Sequence, residues 1–496
     1  AGGGGSLAVG STIGIGSSAL GALTTGARNI AVGAYGLDAL TVGDDNIALG
    51  FGAMGALSTV DGSDKNIAIG TYAMDDVGGL AATQNIFIGY DSGGGSWTGT
   101  LSEKNVAIGN YTMDAAMNDA DQNVAVGHNA LSSVTTGSGS VCIGAYAGDA
   151  IVDVDSMVCI GQNAGTDIDH TDAVGTVCIG ASAGENITSG IGNVAIGYQS
   201  LDAASTSDYN TAVGHQALSA VTTGDGANVA VGYGAATAIS TGVKNTAIGY
   251  NALYRATTQS DHNTAIGYNA MSGNWSTAAV TDCVAVGQSS LQGVLTAGAD
   301  GTVAIGSSAL TALTSGSGNV AVGYKAGSAQ TTGGDDTIVG FEAGENLNGG
   351  SNCTAIGRSA LNASVDGDNN TALGYKTLLM YEGADGEGMN TAVGSATGYW
   401  VSTGQSNTLM GFRAGQGVTG ARLTGDNNTA IGKDAGLLLQ GAAENNTLIG
   451  KGAGESLTTQ ANNVVMGINA GADSTYNNAV LIGRQAGKAN TADYTI

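Results

Sequence analysis

Four histidines, five cysteines and forty acidic residues are the side chains of this 496-residue sequence that could carry catalysis or hold a metal. The histidines are His128, His170, His215 and His262. His128 and His215 follow closely similar stretches, NVAVG and NTAVG, but lie 87 residues apart, too far to share a metal or a proton relay without help from the fold. They read as surface polar residues. No HExxH motif and no Ser-His-Asp arrangement is visible, so neither zinc-protease nor serine-hydrolase chemistry is indicated. The cysteine count is odd, so at least one thiol has no partner within the chain, and no CxxC pair argues for zinc. Acidic turns recur at GDDN 43–46, GGDDT 333–337, DGDNN 366–370 and TGDNN 424–428. Their carboxylates and carbonyls are ligand types that calcium accepts. The same residues are ordinary turn formers, and the pattern does not follow the calcium-roll repeat GGxGxDxUx. No cofactor is indicated, and calcium is the metal to keep in view. None of the loop carboxylates is visibly paired with an acid-base partner, so the sequence reads as that of a non-enzyme.

The elements that must position these side chains repeat. KNTAIGYNAL at 244–253 returns as HNTAIGYNAM at 262–271. Anchored on the Gly of NTAIG, the pattern occurs 28 times between Gly10 and Gly483; 13 of the 27 spacings are 17 residues, and nearly all the others are 18 to 21. The register is kept while one loop varies, which reads as a single array over 1–496 with no internal domain boundary. The chain has 86 Gly, no Pro and 42% hydrophobic residues, so it can bury a core between many tight turns. Its net charge of −26 argues against nucleic acid and anionic membrane as partners. No apolar run is long enough for a transmembrane helix. The opening AGGGGSLAVG has neither an initiator Met nor a signal peptide, as expected of a processed chain or a piece of a longer one.

Read down the columns, the residue before the anchor Gly is Ile, Val, Leu or Met in all 28 copies, and the column that opens the motif is Asn in 18. Short β-branched runs between glycines predict two short strands per repeat. One repeat cannot bury an apolar face alone, but stacked repeats can. The fold class is therefore all-β, a parallel β-solenoid of about 28 coils. At roughly 4.8 Å per step it would form a rod on the order of 130 Å long. Equivalent residues stack in ladders: Asn228, Asn245 and Asn263; Val231, Ile248 and Ile266; Gly232, Gly249 and Gly267. Within NTAIG, Thr246 and Ile248 point one way and Ala247 and Gly249 the other. Both faces are apolar, which predicts a coil interior on one side and another chain on the other. The expectation is that the bulky column fills the coil and the Ala/Gly column meets the neighbouring chain. A charge at Ile248 would then be buried. Cys142, Cys159 and Cys178 occupy the Ala247 column in three successive copies, and Cys283 and Cys353 the Asn245 column, as small buried hydrophobes would.

The stretch N-[TVI]-A-[IVL]-G, with SVCIG at 140–144, NVAIG at 193–197 and NTAIG at 428–432, resembles the head repeat of trimeric autotransporter adhesins, the YadA-type head, over essentially the whole chain. It is also similar to repeats in fibres of tailed phages. The resemblance implies a left-handed parallel β-roll, a homotrimer around one axis, and a role in attachment, on a virion fibre or a cell surface. The repeat here is longer than the usual head repeat. No apolar heptads of a coiled-coil stalk and no C-terminal membrane strands appear, so this segment is not expected to insert into a membrane.

The aromatic residues then take on interest. Tyr233, Tyr250 and Tyr268 follow the anchor Gly in three successive copies and should stack, either as corner packing or as a platform for a host-surface glycan or protein receptor. Trp97, Trp275 and Trp400 fall in the variable loop, where an exposed Trp would dock locally or meet a partner. The reading favoured is an extracellular structural and adhesive fibre. An ice-binding solenoid would use the recurrent Thr of NTAIG, but that column is Val or Ile through most of the first half. A glycan-degrading virion spike is the third class, and it would need paired acids in a groove.

Overall fold

The computed structural model describes residues 10–488 apart from 58–61, 79, 100–101, 224–225, 257–259, 276–278, 384–386 and 474. It divides into two compact units, Ala1–Lys244 and Asn245–Ile496. Each unit is a parallel β-solenoid. Among the described residues the first carries thirteen three-residue strands on its main sheet, from Ile13–Ile15 to Val229–Val231, and the second fourteen, from Thr246–Ile248 to Val480–Ile482. The copy anchored on Gly10 lies, but for that glycine, outside the described residues. Within a unit each strand pairs with the next in parallel and in register, as in Ile30↔Ile47, Ala31↔Ala48 and Val32↔Leu49, or Thr246↔Thr264, Ala247↔Ala265 and Ile248↔Ile266. Within each unit equivalent strand residues therefore stack in register, Ile248 on Ile266 among them.

Each coil has one strand, where the spacing predicted two. The second apolar run becomes a string of turns because two of its residues adopt left-handed backbone, Asn251 (φ 51°) and Leu253 (φ 54°) in the Gly249 coil, and extension cannot pass through them. A third left-handed residue, His262 (φ 58°) in the next coil, sets the chain up for its strand. The anchor Gly ends that strand. Gly249 sits at φ +133°, and a Cβ built there would lie 2.6 Å from the carbonyl oxygen of Gly267. Only glycine lets adjacent coils approach this closely. Lengthened repeats hold the exceptions to the plain coil. Ala82–Thr83 pairs with Ser102–Glu103, and short 3₁₀ turns lie at Thr171–Ala173 and Ala297–Ala299.

The core of a coil is built from three positions. In the Gly33 coil they are Ala31 of the strand and Leu37 and Leu40 of the turns, all fully buried. This reverses the expected orientation. The small Ala column faces inward, while Val231, Ile248 and Ile266 face outward and are 37%, 38% and 36% exposed. The cause is volume. Leucines and methionines from the turns fill the narrow interior, so the strand has room for only a methyl group.

Where the inward strand residue is larger than Ala, the turn gives way. Phe87, Cys142, Cys159, Cys178, Ile338, Leu409, Leu448, Val465 and Leu481 are all followed six residues later by Gly, where the common Ala coils carry mostly Leu or Met. A Cβ on Gly93 would lie 2.5 Å from the Phe87 ring, and one on Gly415 would lie 2.6 Å from Leu409. Interiors packed to this density do not accept both partners large. In three Ala coils that also have Gly, the next coil fills the gap: Ile338 reaches the Gly327 position, Leu409 that of Gly398 and Leu448 that of Gly436.

Candidate functional site

The Asn column is the most regular polar feature, and it is wholly internal. In the first unit, the backbone N–H and the Nδ2 of Asn46 donate to Oδ1 of Asn29 at 3.0 and 3.1 Å, while the same Nδ2 donates to the carbonyl of Ser63 at 2.7 Å. Asn228 is buried in the same column and donates to the carbonyl of Gly242 at 2.9 Å. In the second unit, Asn245 and Asn263 repeat the arrangement. The N–H of Asn263 donates to Oδ1 of Asn245 at 3.0 Å, and their amides donate to Ser260 and Val280 carbonyls at 2.6 and 2.8 Å. Each such buried bond contributes about 1 kcal/mol net, and a broken one costs more than that. The ladder is structural. Cys283 and Cys353 replace Asn and donate their thiols to the Ala299 and Gly367 carbonyls at 3.3 and 3.2 Å. Burial pushes these thiols up to about 11 and about 12.

Asp336 is the carboxylate in this column. It accepts from the N–H of Cys353 and from Nε2 of Gln330, both at 2.6 Å, and is almost fully buried. Burial pushes its pKa from 3.8 up to about 7. A raised carboxylate pKa favours the folded state below the unfolded value and loses that contribution as pH rises through the folded one. The second unit should therefore lose about 4 kcal/mol of local stability between pH 4 and pH 8. Asp336→Asn restores the amide used elsewhere and should flatten that dependence, as read by hydrogen exchange in Thr337–Val339 at the two pH values. A variant with the wild-type pH slope would show that this carboxylate is not the cause.

The other reactive residues are dispersed. Cys142, Cys159 and Cys178 stack in register with free, fully buried thiols. Hydrogen bonding to Cys159, then burial, pushes the Cys142 and Cys178 thiols well up, which suits inert packing. His128 packs between the rings of Tyr111 and Tyr146, and His215 stacks 4.9 Å from Tyr233. His170 accepts from the N–H of Asp172 at the start of its 3₁₀ turn, and His262 lies 3.6 Å from Asp282. The four are not brought together. In the acidic turns, Asp44 accepts the N–H of Ala27, Asp368 that of Ser351 and Asp426 that of Gln405, at 2.7–2.8 Å. Their oxygens thus cap the coil below. Among the described residues no group of three or more His, Cys, Asp and Glu side chains is placed to hold a metal ion.

Two long surfaces remain. The first is the outward strand face. Its two columns, those of Thr246 and Ile248, contain only Ile, Val, Thr, Leu and Met in every described coil of both units. The second is the corner just after the anchor Gly. In the first unit, Tyr35, Phe51, Tyr72, Tyr90, Tyr111, His128 and Tyr146 form one chain of ring contacts with centroids 5.4–6.4 Å apart. Tyr233 joins a second stack there with His215, and Tyr250 and Tyr268 stack at 5.3 Å in the second unit, all three tyrosines exposed. Two of the tryptophans do not join this surface. Trp97 and Trp275 are each only 2% exposed. The lengthened loop folds back so that Trp97 lies 5.8 Å from the Phe87 ring and donates to the Gly93 carbonyl at 3.2 Å. Trp400 is half-buried beside Tyr399. No protein-family model and no curated protein matches this chain.

Proposed function

We propose that this chain is a non-enzymatic structural and adhesive fibre segment. Three copies associate through their strand faces, outside the cell on a virion fibre or cell surface, and leave the corners and loops to meet a host-surface glycan or protein receptor. The observation that carries the reading is the outward strand face. A chain with 54 charged residues keeps every one of them out of two adjacent columns that face solvent coil after coil. Exposed apolar area on this scale marks an interface. A stripe repeating at the coil spacing stays in register over many coils only with a partner of the same period, and a second copy has that period. The number three comes from the resemblance to trimeric adhesin heads.

Sedimentation equilibrium tests it. The wild-type chain should have three times the 48.2 kDa of one chain. Ile356→Asp with Ile431→Asp should give monomers that keep their coil protection, because both side chains face outward. A wild-type monomer at micromolar concentration would sink the proposal. One feature favours a second reading. From Thr337 to Thr447 the outward column is Thr in seven consecutive coils, an ordered row of hydroxyls that ice could match. A monomer with thermal hysteresis would establish that alternative.

A further inference from the structure

The cations of this acidic chain are not scattered. Ten of the 14 Lys and Arg residues lie in the second unit, and seven of those ten occupy the two positions after an anchor Gly: Lys325, Arg358, Lys376, Arg413, Lys433, Lys451 and Arg484. In the first unit the same two positions carry rings but no Lys or Arg. In the second unit, rings and cations interleave along the corner. Tyr324 and Phe341 stack at 5.2 Å, and the Arg358 guanidinium lies 5.2 Å from the Phe341 centroid. Lys376 lies 5.4 and 6.0 Å from the Tyr375 and Tyr399 centroids, and Arg413 and Lys433 lie 5.0 and 5.8 Å from that of Phe412. The rings of Tyr324, Phe341, Tyr375 and Phe412 are exposed. Lys325 pairs with Glu345, and Arg413 and Lys433 pair with Asp434, whereas Arg358, Lys376 and Lys451 have no carboxylate within ion-pair distance among the described residues.

We infer that this corner of the second unit, from Tyr324 to Lys451, is a binding strip for an extended anionic polysaccharide. Exposed ring faces offer apolar area to the C–H faces of sugar rings. The unpaired cations, Arg358 and Lys376 on successive coils and Lys451 four coils further on, offer partners for carboxylate or sulfate groups. Glu345 and Asp434, held in ion pairs beside the strip, disfavour a strand carrying one phosphate on every residue. The unit as a whole is also acidic, with 18 Asp and Glu against 10 Lys and Arg, a net charge of −8, unlike a nucleic-acid-binding surface. Each coil would contribute a weak contact, and the row would supply avidity. The inference rests on the attachment role proposed above for its ligand class.

The test is affinity electrophoresis of the full chain in gels holding polygalacturonate, dextran sulfate or neutral dextran, with labelled oligothymidylate as the nucleic-acid arm. Retardation by either anionic polysaccharide and not by neutral dextran is expected, and the stronger of the two identifies the anionic group. Arg358→Gln with Lys376→Gln should weaken it at least tenfold. Lys65→Gln with Lys104→Gln, an equal charge change in the first unit, should leave it within twofold. The inference is overturned if neither anionic polymer retards the chain, if both double variants lose retardation equally, or if oligothymidylate binds as tightly. Sedimentation of the same variants separates loss of binding from loss of assembly.

Discussion

Gly70→Ala is expected to open the coils around it while more distant coils of the same unit stay closed. Gly70 sits at φ +142°, and a Cβ there would lie 2.0 Å from the carbonyl oxygen of Gly89. Both parties to that clash are backbone, so no rotamer change relieves it. Backbone strain and overpacking each cost a few kcal/mol, for a combined loss of about 4 kcal/mol. Solenoid stability is summed over neighbouring repeats, so the damage should stay local. Hydrogen exchange should speed up in Ile47–Leu49, Ile67–Ile69 and Ile86–Ile88, with Thr211–Val213 unchanged. Gly175→Ala is the control. Its φ is +76°, but nothing lies within 4 Å of the added atom, so only the conformational cost of about 1 kcal/mol applies. Equal protection in the two variants would mean that the close approach of anchor glycines does not hold the coils.

The second large effect is a rescue. Gly184→Leu should destabilise its coil by about 3 kcal/mol, because the new Cβ would lie 2.5 Å from the Cys178 sulfur and 2.8 Å from Ile187 in a filled interior. Adding Cys178→Ala recreates the pairing of the next coil, Ala195 with Leu201, and should recover most of the loss. The left-handed backbone at this position is no obstacle, since Leu201 adopts φ 51° at the equivalent place. A double-mutant cycle by denaturant-dependent hydrogen exchange should give a coupling of about 2 kcal/mol. Additive losses would refute the shared-volume account.

The columns themselves were legible in the sequence, because 28 copies fix the period and the Asn, Ala, Ile and Gly positions. The orientation of the strand was not. Alternation in NTAIG says that Ala247 and Ile248 face opposite ways, but which one is inside depends on what the turns bring to the interior. That information is present in the sequence as the exchange between the inward strand residue and the residue six positions later. It emerges only when the two columns are read together, as at Phe87 with Gly93 or Leu409 with Gly415. The strand count per coil was missed because left-handed residues such as Asn251 and Leu253 carry ordinary side chains. The burial of Trp97 and Trp275 was hidden because a longer loop reads as an exposed one until its return path is known. Of the proposed surfaces, the Tyr stacks were visible as a column, whereas the gathering of Lys and Arg onto that column from Lys325 onward calls for comparing the halves of the chain.

The irregular coils have a consequence for how the chain finds its fold. Every rung of the main sheet joins residues only 16 to 21 apart, so loop closure is short for a parallel sheet, and zippering from a first pair of coils can be fast. The same uniformity creates a hazard. A strand that skipped its neighbour and paired with the next-but-one would find nearly the same Asn, Ala and Ile, with one coil looped out. The unequal pairs are what such a slip cannot satisfy. Ile338 displaced by a coil would lose the space over Gly327, Leu409 that over Gly398, and Leu448 that over Gly436. Spaced along an otherwise repetitive chain, these coils act as checkpoints that make the correct count of turns the lowest-energy one.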